Sequence, residues 1–414
     1  MKPYSWIPTL YFAEALPYMA VMVLSGIMYT NLGLTNTELA LYTSWLYLPW
    51  VIKPLWSPVV DHFRTKRWWI LAMQALVGAS LAGVALTLPM AMWLRLSLAC
   101  FWIMAFSSAT HDIAADGFYI LALNEEEQAL YVGFRSTFYR IGSIFCQGIL
   151  VMVAGWLEQR YEVSLAWSIT MLLMGALMVL LAGWHYAFLP RTEEKELKDE
   201  KLHNGNDIIQ PFVETLRVFF SKPHLWAAVL FMLLFRLPEA QLAKMAQPFM
   251  LRTLGEGGLE LSTAAVGFAY GTLGVIGLLA GGIIGGWLVS RNGLRHWLWP
   301  MVIAISLPDV VYIYLSYAQP QDLWIVNACV FTEQLGYGFG FTAYMLFLVY
   351  FSQGERSTSV FALCTAFQAL GMMIPGMFAG KLADMWGFQT FFVFVCVCTV
   401  VTFIVSGLIR RDVK

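Results

Sequence analysis

Charge is what this chain lacks. Only 12% of its 414 residues are Asp, Glu, Lys or Arg, where a soluble domain carries about a quarter. So few charges cannot cover a water-facing surface, which excludes a soluble globular enzyme. Neither sign dominates: the formal net charge is −1 and the pI is near 6.6, so there is no basic footprint for nucleic acid. Cysteine is sparse as well. Cys100, Cys146, Cys329, Cys364, Cys396 and Cys398 all sit in apolar segments, none at metal-ligand spacing from a histidine. They read as small apolar residues, and no metal site is expected. A signal-peptide cleavage site is also missing. Lys2 precedes a long apolar run, so the first helix is expected to stay in the membrane as an anchor.

What is abundant is apolar sequence, 59% of the residues, with a mean hydropathy of +0.66. The runs are continuous rather than alternating, which argues for helices and against a membrane β-barrel. At about 20 residues per span, this content suffices for twelve spans. They are predicted near 6–30, 38–60, 68–88, 94–122, 131–157 and 165–189, then 223–250, 262–289, 296–317, 322–350, 357–385 and 388–409. The one long polar run, beginning RTEEKELKDEKLHNGNDIIQ at Arg191, separates two sets of six. The expected organisation is an N-terminal bundle over 1–189, a cytoplasmic linker over 190–222 and a C-terminal bundle over 223–414. The linker is expected to be disordered, with one surface helix.

Lys and Arg set the orientation. With the N-terminus inside, seventeen of the 25 fall in cytoplasmic segments, while Arg95, Arg160 and Arg252 alone fall in outer loops. Both termini and the linker are therefore expected to be cytoplasmic.

Six plus six spans suggest a duplication. Leu16-Pro17 and Leu237-Pro238 lie 221 residues apart, as do Asp112 and Glu333. Gly155 and Gly380 match at an offset of 225, and Asp61 and Ser290 at 229. The chain thus reads as an all-α integral membrane protein of two pseudo-symmetric six-helix bundles. SPVVDHFRTKRW resembles the cytoplasmic signature of the major facilitator superfamily, in which an acid ends the second span and basic residues fill the turn. The resemblance makes Asp61, Arg64 and Arg67, with Lys66 beside them, a latch that gates the cytoplasmic side. The second-half copy has Ser290 in place of the acid.

An ionisable side chain at bilayer depth costs about 2.5–3.5 kcal/mol on insertion scales. Glu14, Lys53, His111, Asp112, Asp116, Arg140, Arg236, Glu239, Lys244, Asp309 and Glu333 all fall inside predicted spans, too many for structure alone. Asp112 and Asp116 in ATHDIAADGF are four apart and share a helix face. Two carboxylates in low dielectric do not both ionise easily, which suits proton coupling, here assigned to Asp112, Asp116 and Glu14. Arg140 in FYRIG is their expected partner, since consecutive antiparallel spans pack together. A structural ion pair locking those spans is the alternative. His111 points about a hundred degrees from Asp112 and reads as a hydrogen-bonded packing histidine.

In FRLPEAQLAKMAQPF, Arg236 and Glu239 are three apart and are expected to pair within the helix, while Pro238 frees a carbonyl. Transporters break helices at binding sites. Glu333 in TEQLGYGFGF has small residues around it that let another helix approach. Most aromatics near span ends read as interface belts. Those beside buried charges, among them Tyr18, Trp45, Tyr119, Tyr139 and Tyr337, suit stacking on sugar rings.

WLYLPWVIKPLWSPVVD, HDIAADGF, FRSTFYRIG, LFRLPEAQLA, GTLGVIGLLAGGIIGGWLVSRNGLR and FTEQLGYGFGFTAY together resemble the AmpG-type muropeptide permeases, which group with acetyl-CoA transporters in the major facilitator superfamily. The resemblance covers nearly the whole chain. Glu14 differs from it, standing where a small or neutral residue is expected, as does Pro238 in place of a glycine. The resemblance implies proton-driven import of 1,6-anhydro-N-acetylmuramyl saccharides and peptides across a bacterial-type inner membrane. Asp112 and Asp116 stand where the family has its own pair and would couple protons, with Glu14 added to them as this chain's own buried acid. Arg140, Arg236, Glu239, Glu333, Tyr18, Tyr119 and Tyr139 would bind the cargo. No cofactor is called for beyond the proton gradient as energy source. The partners are an amphiphilic saccharide or glycopeptide, protons and lipid, and a monomer is the default. Another oligosaccharide or sugar acid is the alternative cargo, with acetyl-CoA or a drug further off. A magnesium-dependent membrane transferase is the alternative class. Its acidic motif is met once, by DIAAD, where two such clusters are needed, so the chain is read as a transporter and not an enzyme.

Overall fold

The computed structural model describes residues 3–191 and 206–410, apart from the side chains at 61, 62, 129 and 206–211. Lys2, most of the charged run after Arg191, and the side chain of Asp61 lie outside the described residues. Among those described, helices account for all regular structure. We label them α1 Pro3–Asn31, α2 Asn36–Trp45, α3 Leu48–His62, α4 Lys66–Thr87, α5 Trp93–Ala122, α6 Glu125–Glu158 and α7 Val163–Phe188. An amphipathic α8, Asn206–Phe220, follows. Then come α9 Leu225–Leu234, α10 Leu237–Leu251, α11 Thr263–Asn292, α12 Leu294–Ser306, α13 Val310–Ala318, α14 Leu323–Ser352 and α15 Ser357–Ile409.

Ten of the described segments are long and apolar enough to cross a membrane. The last, α15, is two crossings joined at Gly387, whose φ of 74° opens the chain where other residues would be strained. The segment α2–α3, split by a turn at Leu46–Tyr47, makes twelve, each near its predicted place. The outward surface fits that count: Trp226 is 78% exposed and Trp324 77%, both near the start of a helix, as an interface belt requires.

Most capping is local and legible. Thr35 caps α2 in a capping box with Glu38, and Asn124 caps α6 in one with Glu127. The second box starts the fifth span at Glu125 rather than 131, which adds about a turn and a half ahead of the predicted start.

The chain divides into two compact units, one of Met1–Ser25 with Ile52–Phe212, the other of Gly26–Val51 with Val213–Lys414. In the first unit, α4 packs on α5 and α7, while α6 packs on α1, and α1 in turn on α5. Its core joins Trp6, Tyr11, Ile70 and Phe118. In the second unit, α14 packs on α11 and α12, and α15 on α2, α9 and α10. Phe231, Phe235, Tyr344 and Phe347 stack there in one aromatic core. Asp384 binds the start of α2, accepting from Asn36 Nδ2 at 2.9 Å and from the Thr37 backbone N at 2.8 Å. A carboxylate there also meets the positive end of the helix dipole.

Candidate functional site

In the first unit, Glu14 of α1 and His111 and Asp112 of α5 converge. One carboxylate oxygen of each acid and one ring nitrogen of the histidine all lie within 4.8 Å of one another. Glu14 and His111 are buried. Lys53 of α3 supplies the counter-charge, its Nζ 3.6 Å from Asp112 Oδ2. Tyr139 of α6 adjoins the group, with Tyr18, Asp112, Glu14 and Arg140 as its electrostatic neighbours. Such a set of acid, imidazole, ammonium and phenol can exchange a proton without leaving a bare charge in low dielectric.

His111 is hydrogen-bonded, as expected of it, but it also belongs to this cluster. Its Nε2 lies 3.0 Å from Gln74 Nε2. Gln74 Oε1 lies 2.9 Å from His185 Nδ1, and His185 Nε2 is 3.0 Å from the Thr9 hydroxyl. A buried polar chain thus runs from α1 through α7 and α4 to the acids. His111 Nδ1 at its end has no hydrogen-bond partner among the described residues.

Two expected pairings are corrected. Asp112 and Asp116 do not share Arg140: Asp112 meets Lys53, and Asp116 Oδ1 lies 2.5 Å from a terminal nitrogen of Arg135. Arg140 forms no ion pair among the described residues. The reason is that α1 lies against both α5 and α6, so the register across consecutive helices is not set by sequence adjacency. Arg135 also stacks over Tyr11 at 4.6 Å and Tyr119 at 5.7 Å. Tyr119, expected to bind cargo, donates its hydroxyl to the Gln128 carbonyl at 2.6 Å.

The second correction concerns Arg236. It caps the start of α10, outside the helix, and makes no ion pair with Glu239. Its guanidinium donates to the Tyr337 hydroxyl at 2.5 Å and lies 4.8 Å from the Phe341 ring. The expected break near Pro238 is present, between α9 and α10. Pro17 behaves differently: α1 runs through it and turns π-helical over Ala20–Leu24.

Glu333 of α14 is buried, and Gln334 Nε2 donates to both of its oxygens at 3.2 and 3.0 Å. The close approach predicted around it is realised at Gly336 and Gly338. A Cβ on either would run into the carbonyl of Ala304 or Leu278, respectively. Glu333, Glu239 and Asp309 each place a carboxylate oxygen within 4.8 Å of the others. Asp309, one of the buried charges in the sequence, reaches them from the turn between α12 and α13.

Of the turn after α3, Arg64 has a left-handed φ of 65° and lies 6.0 Å from the Trp68 ring. Arg67 donates to the Tyr186 carbonyl of α7 at 2.6 Å.

Paired and orphaned charges at the heart of bundles of lipid-crossing helices define a multi-pass membrane transporter. The chain belongs to the Major Facilitator Superfamily, whose family model matches residues 9–374. It is 27% identical over 416 residues, 97% of this chain and 79% of the relative, to the "Anhydromuropeptide permease" of Escherichia coli (strain K12). It is 25% identical over 364 residues, 84% of this chain and 83% of the relative, to the "Putative transporter AmpG 4" of Rickettsia conorii (strain ATCC VR-613 / Malish 7). Among solved structures, a D-xylose-proton symporter matches with a TM-score of 0.74 at 10% identity, covering 98% of this chain and 97% of that one. The nucleoside transporter NupG matches with a TM-score of 0.71 at 15% identity, covering 99% of each chain. These likenesses show the fold. The relatives and neighbours are transporters, and this chain is one of their class rather than an enzyme.

Proposed function

We propose that the protein is a proton-coupled importer of 1,6-anhydromuropeptides, working by alternating access with both termini on the cytoplasmic side. The observation that carries this is the match to an anhydromuropeptide permease along 97% of the chain. The coupling residues are those of the first unit. A proton arriving at Asp112, directly or by way of Glu14, frees Lys53 from its ion pair, and the loss of that pair is what differs between loaded and empty states. Asp116 completes the coupling set through Arg135.

The cargo groups are met by side chains whose own needs are incompletely filled. Arg140 has no carboxylate partner among the described residues, and it lies beside Tyr139. Arg236 keeps an Nε without a hydrogen-bond partner among the described residues, next to the rings of Tyr337 and Phe341. Both suit an anionic lactyl or peptide carboxylate, with the sugar on neighbouring rings such as Tyr18. Glu239 and Glu333 accept from sugar hydroxyls or amides in the same scheme.

The test is uptake of labelled GlcNAc–anhydro-MurNAc into permease-deficient cells expressing this chain, with and without an uncoupler. Uptake abolished by the uncoupler is expected. Absence of uptake from protein shown to be in the membrane would overturn the cargo, and a panel of other oligosaccharides and sugar acids would then be screened. Uptake insensitive to the uncoupler would overturn the proton coupling.

A further inference from the structure

The second unit holds three acids that the proton scheme leaves unused for coupling. Glu239, Asp309 and Glu333 are 6%, 3% and 1% exposed. Each offers an oxygen to a triangle with sides no longer than 4.8 Å. The cation nearest in effect is Arg236, beside Glu239, and its guanidinium is engaged by Tyr337. Three acids against one guanidinium in a dry setting must hold protons or take a cation, since each unpaired ion there costs several kcal/mol.

The polar atoms around the triangle are also incomplete. Glu239 Oε2 and Asp309 Oδ1 have no hydrogen-bond partner among the described residues. Tyr312, fully buried, brings its hydroxyl up to Glu333 and Tyr270, and that oxygen makes no well-aligned hydrogen bond among the described residues. Gln334 closes the far side, donating to Glu333 and to the Tyr270 hydroxyl.

The backbone supplies a further oxygen donor type. Glu239 lies in the first turn of α10, just past the break at Arg236. Asp309 ends the 3-10 turn Leu307–Asp309 that splits α12 from α13, and Pro308 within it has no N–H for the carbonyl one turn earlier. Transporter helices interrupted in this way use freed carbonyls to coordinate small cations.

We propose that Glu239, Asp309 and Glu333 form a site for a small hard cation, Na⁺, with Tyr312 completing its oxygen shell. All-oxygen donors select hard ions. Mg²⁺ fits poorly, because it demands a near-ideal octahedron at about 2.0–2.1 Å, while these oxygens come from three separate segments and lie up to 4.8 Å apart. Ca²⁺, doubly attracted by three carboxylates, would be slow to leave on each cycle. The site takes Glu239 and Glu333 out of the cargo contacts proposed above and leaves the cargo assignment to Arg140, Arg236 and the rings beside them.

The test uses the purified full chain in detergent, without cargo. Its melting temperature is followed as NaCl replaces choline chloride at constant ionic strength. A saturable rise is expected, as linkage requires of a ligand that binds the folded state. Glu333→Gln and Asp309→Asn should flatten it, and Asp112→Asn should not. On the unmodified protein, Na⁺ should lower labelling of these three carboxyls by a hydrophobic carbodiimide about threefold or more, read by peptide mass spectrometry. This second measurement does not depend on a variant folding. Equal behaviour in Na⁺ and choline in both measurements would overturn the site. So would a response to Ca²⁺ or to pH with none to Na⁺, or a Na⁺ response undiminished in both variants.

Discussion

Lys53 Nζ lies 3.6 Å from Asp112 Oδ2, an ion pair inside the first unit between residues 59 positions apart. It joins the second crossing to the fourth and sits at the edge of the Glu14–His111–Asp112 group. Both side chains are less than a third exposed, at 28% and 17%, so neither charge is well served by solvent once its partner is gone.

Removing one partner should therefore cost more than removing both. Lys53→Met and Asp112→Asn are each expected to lower the melting temperature, and the double variant to recover part of that loss. A coupling energy of about 1–3 kcal/mol is expected between residues in contact. Strictly additive losses in the thermal-melt cycle would refute the pairing.

Asp116 and Arg135 present the contrasting case, with side chains 43% and 33% exposed. A pair that open contributes about 1 kcal/mol or less to stability. Asp116→Asn alone should barely shift the melting temperature. Combined with Asp112→Asn it should abolish uptake under an imposed proton gradient. Full uptake by that double variant would remove both residues from coupling.

The cradle of Arg236 predicts a binding defect rather than a folding one. Arg236→Lys keeps the charge and loses the planar contact with Phe341 and the fork that reaches Tyr337. The apparent KM for cargo is expected to rise about tenfold, which corresponds to about 1.4 kcal/mol. Tyr337→Phe, which keeps the ring, should give a smaller rise. Initial-rate kinetics in vesicles would decide, and an unchanged KM in both would clear Arg236 of cargo contact.

Gln74 is the hinge of the buried chain between His111 and His185. Gln74→Leu strands a ring nitrogen at each end, at about 1–3 kcal/mol per unsatisfied buried group. A melting temperature several degrees lower is expected, with uptake falling as His111 loses its orientation. Gln74→Glu restores only an acceptor pattern and should not rescue. Stability equal to the unmodified protein in Gln74→Leu would show that the chain contributes nothing.

Much of this molecule is legible in its sequence because a bilayer leaves few options. Apolar runs of spanning length have to be helices, since no water satisfies their backbone. The spans therefore fall close to where composition places them. Boundaries moved where a cap intervened, as when Asn124 set the start of α6 at Glu125 rather than 131. The break beside Pro238 was readable from local chemistry. So was the tight approach at Gly336 and Gly338, where a side chain would meet another helix's carbonyl.

The sequence by itself thus determined the helices, their number, the buried charges among them and the family to which they belong. It could not choose partners. Arg140 looked like the cation for two aspartates because it lies on the next helix, yet Lys53 and Arg135 take those places. Nothing in the sequence joins Asp309 to Glu239 and Glu333, and the turn between α12 and α13 does so. The physical reason is that a helix presents its charges every three or four residues on a face of its own. Which faces meet is set by helices distant in the chain, through packing of small residues and bulky rings, and only the tertiary structure decides that.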